Sequence, residues 1–299
     1  MQLRRRMGSA LPVLLAGVVV IAACGRTPDA PRQEAAAETT TSSAGVVPTE
    51  APAAGAGTGG QTDNPQNGRP SWLGTRPLPV DANGYGEVQP TPPELQDRAV
   101  PTIDLLAPPG GGDFASAVGP VPEEVAARST WQSACPVGLD DLRYLAVSFW
   151  GFDERPHTGE LLVNASASDD VVEVFRQLYE HRYPIEEMRV TRPEELDAAP
   201  TGDGNNTSAF VCRPSRGTTS WSEHAYGRAV DVNPFHNPYV RGALVLPELA
   251  SAYTDRARQR PGMIEPGDVV TAAFAQQGWG WGGAWRASKD YMHFSVNGR

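Results

Sequence analysis

Lysine is nearly missing: Lys289 is the single lysine among 299 residues, against 24 arginines. A serine acyl-enzyme of the Ser-x-x-Lys type would need serine at position 286, where the chain has Arg286, so that chemistry is excluded. Positive charge as a whole is short. With 25 basic and 35 acidic side chains the formal charge is −10, which disfavours partners held by phosphate neutralisation, and no nucleic-acid partner is expected. Long apolar runs are lacking too: a bilayer-spanning helix needs about 20 apolar residues, and the run from Ala10 to Ile21 is too short. Finally, Gly25 to Pro70 contains no Leu, Ile, Met, Phe, Trp or Tyr. Such a stretch cannot bury enough apolar surface to offset its ordering entropy, so residues 24–70 are expected to be a flexible tether.

What is present begins with an address. Residues 1–23 read as a secretory signal, with Arg4, Arg5 and Arg6 ahead of the short apolar run. That run closes with Ile21-Ala22-Ala23-Cys24, which resembles the bacterial lipobox. The resemblance implies a lipid on Cys24 and a membrane partner reached through that anchor. It also implies residence on the outer face of a bacterial cytoplasmic membrane, facing the cell wall. The rival reading is an ordinary small-residue cleavage site beside a chance cysteine.

Apolar residues return between positions 71 and 129, but proline is frequent and no period survives, so this stretch reads as an extended arm able to pack on the main domain. Residues 130–299 read as that domain. Leu142 to Trp150 and Glu160 to Asn164 look like strands, the second entered through a turn at His157-Thr158-Gly159. Ser168-Asp169-Asp170 offers a cap to a helix whose apolar face is Val171, Val174, Phe175 and Leu178, ending near Tyr183-Pro184. Pro184 to Val190, Ala229 to Val232 and His293 to Val296 read as strands, and Asp268 to Gln277 as a helix closed by Gly278. Strands and helices in irregular order indicate an α+β fold with a small, mainly antiparallel sheet and flanking helices. A monomer is expected.

Two of the five histidines stand in informative company. His224 and Asp231 are seven apart with Gly227 between them, and His293 follows Asp290 by three residues on a strand-like run. Two neutral imidazoles and one carboxylate are a sufficient protein set for a catalytic zinc, leaving a fourth position for water. Zinc lowers the pKa of that water towards neutrality, and a nearby carboxylate can take its proton during attack on a peptide carbonyl. Taken alone, any one of these histidines is more simply a satisfied structural residue.

The fuller pattern, Ser-x-His-x-x-Gly-x-Ala-x-Asp from Ser222 followed by Asp290-x-x-His293, resembles the VanY-like D-alanyl-D-alanine carboxypeptidases and the L-alanyl-D-glutamate endolysin peptidases. Further landmarks are His157 to Asn164, Tyr183-Pro184-Ile185-Glu186, Asn205 to Phe210, Cys212-Arg213, Asn233-Pro234 and Gly278 to Gly283. The resemblance covers about residues 140–299 and implies a small α+β zinc enzyme that cuts peptidoglycan stem peptides. It implies His224, Asp231 and His293 as zinc ligands, Asp290 as base, Arg213 as the residue that binds substrate and steadies the oxyanion, and Ser222 as an orienting residue. Many of the carboxypeptidases carry Glu at the base position. Asp290 is instead the choice of the endopeptidase branch, so the bond cut stays open between the two.

Rival readings accompany these. Glu223 reads as a solvated neighbour of an inward-pointing His224. His157, His181 and His236 read as surface or structural residues, because no carboxylate or cysteine at ligand spacing accompanies them. Trp279, Trp281 and Trp285 could line a groove or pack. Cys135 and Cys212 could form a disulfide outside the membrane, or one could act as a nucleophile, in which case it would compete with a metal for the histidines. A non-catalytic wall-binding lipoprotein and a metal carrier with a closed coordination shell remain the alternatives to an enzyme.

Overall fold

The computed structural model describes residues 68–82 and 85–299. The signal segment, Cys24 and nearly all of the 24–70 tether lie outside the described residues. The rest is α+β, with short helices and small antiparallel sheets, as the element order indicates.

In chain order, β1 (Ser116–Gly119) and α1 (Glu123–Arg128) come from the stretch read as an arm, and β2 (Leu142–Trp150) and β3 (Pro156–Asn164) make a long hairpin. Helix α2 (Ser168–Glu180) follows, then β4 (Glu187–Met188), β5 (Asn206–Thr207), β6 (Ala229–Asp231), β7 (Tyr239–Arg241) and β8 (Leu244–Leu246). Helix α3 (Val269–Gln276), β9 (Gly280–Trp281), β10 (Lys289–Asp290) and β11 (His293–Ser295) complete the chain. The sheets run β1-β2-β3, β10-β7-β8 and β6-β11-β9, and β4 pairs with β5 in parallel.

The hairpin register, Leu142↔Asn164 through Trp150↔Pro156, corrects the expected turn at His157-Thr158-Gly159. Those three residues are strand, and the chain reverses earlier, between Gly151 and Arg155, where Glu154 takes φ 59°. Gly159 serves packing rather than turning: a Cβ there would stand 2.6 Å from Cβ of Met188.

On one face of this sheet lies α2, whose buried Val171, Val174, Phe175 and Leu178 recur at helical spacing and join Leu145, Val147, Leu161, Val163, Ile185, Phe274 and Phe294 in the main core. Ser168 does not cap it. A preceding single turn, Ala165–Ala167, takes that role, with Asn164 Oδ1 accepting from Ser166 N, while Ser168 Oγ donates to Ala165 O at 3.0 Å. Of Pro184 to Val190, only Glu187–Met188 pairs as strand. Asp268 caps α3 as expected, accepting from Thr271 N at 2.8 Å, and Gly278 closes it at φ 79°.

The arm is built into the body. Its β1 pairs with β2 from Ser116↔Val147 to Gly119↔Tyr144, and Leu73, Leu78, Leu95 and Val100 share a second core with Phe235, Val245, Leu249 and Tyr253. Between the two cores Arg98 grips Glu186 with two bonds of 2.7 Å and donates to Asp203 O at 2.7 Å, all three groups being buried. Cys135 and Cys212 are joined by a disulfide. Such a bond removes both sulfurs from any nucleophilic role.

The histidines set aside are structural, but one reason given for them fails. His157 is buried with a carboxylate on each ring nitrogen, Asp104 Oδ1 at 2.7 Å from Nδ1 and Asp153 Oδ1 at 2.9 Å from Nε2. Asp153 stands four residues before His157, at a spacing visible in the sequence, so that reason does not hold; Asp104, 53 residues distant, lies beyond the reach of spacing. His236 is buried against Phe152, with Nε2 at 3.1 Å from Arg98 O, and burial pushes its pKa down to about 4. His181 is exposed at the end of α2.

Candidate metal centre

Local chain chemistry places each acceptor. Ser222 Oγ caps the single turn Glu223–Tyr226 by accepting from His224 N, and Gly227 ends it at φ 67°, turning the chain into β6. No other residue fits at 227, because a Cβ would stand 2.5 Å from Asn164 N of the long hairpin. In the next sheet Asp231 of β6 sits directly opposite His293 of β11, so the two side chains share a face. Asp290 arrives from a different sheet, where β10 pairs with β7. Gly282 makes room for it: a Cβ at 282 would stand 2.8 Å from the Asp290 Cβ.

These elements bring His224, Asp231 and His293 together. His224 Nε2 lies 3.2 Å from His293 Nδ1 and 3.2 Å from Asp231 Oδ1, and His293 Nδ1 lies 3.0 Å from the same oxygen. The other nitrogen of each ring faces a main-chain oxygen, Ala209 O at 2.6 Å from His224 Nδ1 and Arg299 O at 3.0 Å from His293 Nε2. A carbonyl only accepts, so those outer nitrogens carry the protons and the inner ones present lone pairs in the neutral rings. In the neutral rings three acceptors thus converge on one point, an arrangement that a proton on His293 or a bound cation relieves. Ligand bonds of about 2.0–2.1 Å in a tetrahedral shell put ligand atoms roughly 3.3–3.4 Å apart, close to the spacing here. The donor set, two imidazoles and one carboxylate, therefore fits a divalent metal ion.

Charge follows the same geometry. Burial opposes ionisation of Asp231, but the facing His224 and His293 overcome it and hold the carboxyl well below the usual carboxylate range. Burial likewise opposes charge on His293, yet Asp231 pushes its pKa up to about 9. The pocket draws positive charge to one point.

Asp290 differs from its neighbour. Burial and the Asp231 charge push its pKa up to about 7, against the pull of His293 and Arg213, and its Oδ1 is buried with no hydrogen-bond partner among the described residues. Arg213 is half-buried beside the centre: Ser222 N donates to Arg213 O at 3.3 Å, and Val211 N to His224 O at 3.2 Å. Ser222 thus acts locally as the cap that seats His224 and as a link to Arg213.

Residues 216–296 match the family model described as D-alanyl-D-alanine carboxypeptidase. The matched segment contains Ser222, His224, Asp231, Asp290 and His293, and stops short of Arg213 and of the whole β2–β3 hairpin. At a coarse level, the match supports a peptidase related to peptidoglycan. No curated protein and no solved structure matches the chain.

Sequence reasoning missed the two main-chain acceptors, Ala209 O and Arg299 O, which fix both imidazoles; a carbonyl leaves no mark in a sequence. The tryptophans left open are placed by their N–H groups. Trp279 is core and donates to Asp170, and Trp281 and Trp285 donate to the oxygens of Tyr291 and Gly298. The Trp285 ring packs 5.6 Å from His293. Glu223 is half-buried.

Proposed function

We propose that the protein is a zinc peptidase that hydrolyses a bond in peptidoglycan stem peptides, with D-alanyl-D-alanine carboxypeptidase activity first. The observation that carries this reading is the convergence of three acceptor atoms beside a buried carboxylate oxygen, Asp290 Oδ1, that has no hydrogen-bond partner among the described residues. His224 Nε2, His293 Nδ1 and Asp231 Oδ1 would hold the ion. When bound, zinc lowers the pKa of water towards neutrality and polarises the scissile carbonyl.

The chain supplies the rest. Asp290 takes a proton at its orphaned Oδ1 and returns it to the leaving amine, a task suited to a carboxyl pushed up to about 7. Arg213 sets a fixed cation beside the charge that develops on the carbonyl oxygen. Ala209 O and Arg299 O keep both rings in the tautomer that faces the centre. Aspartate rather than glutamate at 290 favours a second reading, an endopeptidase of the L-alanyl-D-glutamate type. We further place the protein on the outer face of a bacterial membrane through a lipid on Cys24, so that Cys24→Ala releases it into the medium.

Purified protein incubated with muropeptides, with and without chelator, tests the activity by mass spectrometry. Loss of a terminal alanine that stops on chelation is the expected result. Cleavage at an internal bond selects the second reading, and turnover indifferent to chelator overturns both.

A further inference from the structure

The chain beyond β11 doubles back on the strand it leaves. Gly298 N donates to Ser295 O at 3.2 Å and Arg299 N to Asn297 Oδ1 at 3.0 Å, closing a tight turn over residues 295–299 in which Gly298 takes φ 72°. The turn is pinned from three sides. Val296 N donates to Arg228 O at 3.1 Å, Trp285 Nε1 donates to Gly298 O at 2.8 Å, and Gly298 lies so near β9 that a Cβ on Gly280 would stand 2.5 Å from its α-carbon.

The product is one placed oxygen. Arg299 O accepts from Ser295 Oγ at 2.9 Å and from His293 Nε2 at 3.0 Å, so both of its lone pairs are used. Alternation along β11 puts Ser295 and His293 on the same face, and Ser295 is fully buried. A buried hydroxyl costs desolvation that alanine avoids, and the bond to Arg299 O offsets it. The matching acceptor for His224 needs no such help: Ala209 lies between Ser208, whose N donates to Asp231 O at 3.0 Å, and Phe210, whose N donates to Leu162 O at 3.0 Å. Arg299 is exposed, and its oxygen is aimed by side chains instead.

We propose that Ser295 and Trp285 are positioning residues for the metal centre. With the 295–299 turn they aim Arg299 O at His293 Nε2, and so hold His293 Nδ1 towards the point it shares with His224 and Asp231. This rests on the metal-centre reading above. Both residues act through that oxygen, and Trp285 does so while its ring packs beside the imidazole.

Ser295→Ala and Trp285→Phe each remove one donor and keep most of the packing, and His157→Ala serves as a control that lowers stability elsewhere. Zinc affinity of the full chain is read by competition with a chromophoric chelator, and the visible spectrum of the cobalt-loaded protein reports the geometry of the bound ion. Ser295→Ala should weaken zinc about tenfold, the lower end of the span usual for groups that orient metal ligands, and Trp285→Phe should weaken it by a smaller factor. Because both act through one oxygen, the loss in the double variant should fall short of the product of the two. The cobalt spectrum should change in both variants and stay as in the wild type in His157→Ala. Zinc affinity and a cobalt spectrum unmoved by Ser295→Ala and Trp285→Phe overturn the proposal while leaving the metal centre intact. If the wild-type protein binds neither metal, the metal-centre reading falls, and solvent exchange of the His293 Nε2 proton, followed by nuclear magnetic resonance, then judges the positioning role: faster exchange in Ser295→Ala upholds it, and an unchanged rate sinks it.

Discussion

The molecule holds two buried histidine–carboxylate groups with opposite fates. At His157 both ring nitrogens are taken by carboxylates, one from each side, and nothing converges. At His224 and His293 one nitrogen of each ring is taken by a main-chain oxygen, and the other turns towards a point shared with Asp231. Residue types are the same in both. What separates a fastener from a candidate metal centre is which nitrogen the backbone has already engaged, and in which direction the remaining lone pair is aimed.

The largest effect should come from breaking the convergent group. His293→Ala removes one of three acceptors, and zinc stoichiometry near zero with loss of peptide turnover is expected by metal analysis and muropeptide assay; a variant that still holds one equivalent of zinc contradicts the assignment. Next, Asp290→Asn should keep the metal and lose about 10²–10⁴-fold in kcat, the usual span for a general base. The sign of its pH profile follows from the same group. The base works ionised, so kcat/KM in the wild type should fall on the acid side as Asp290 takes up a proton, about tenfold per pH unit at the limit, and this limb should vanish in Asp290→Asn. The smallest effect is at the other histidine. His157→Ala should cost stability alone, about 1.5–3 kcal/mol for each charge-assisted bond lost, read by denaturant unfolding, with zinc stoichiometry unchanged. A loss of zinc there would erase the contrast.

The candidate centre was largely legible in the sequence, because its side chains come from two compact motifs and the strand register aligns them: Asp231 and His293 are opposite one another by pairing alone. Long apolar strands and α2 were legible for the same reason, since their periods are local. Legibility ended wherever a partner came from far along the chain. Asp104 beside His157, Arg98 beside Glu186, and Tyr85 beneath Arg216 all come from a stretch whose prolines hide any period. The turn at His157-Thr158-Gly159 was misread because glycine signals a reversal in sequence, whereas Gly159 is there to admit Met188.

Gly227 carries one more implication. Its α-carbon abuts the amide of Asn164 with no space for a methyl group, so the loop presenting His224 cannot slide without the β2–β3 hairpin. A ribbon that contributes no ligand therefore acts as the jig in which the coordination shell is assembled. A random screen for zinc-free variants should return hits along Leu161 to Asn164 as well as among the three acceptors themselves.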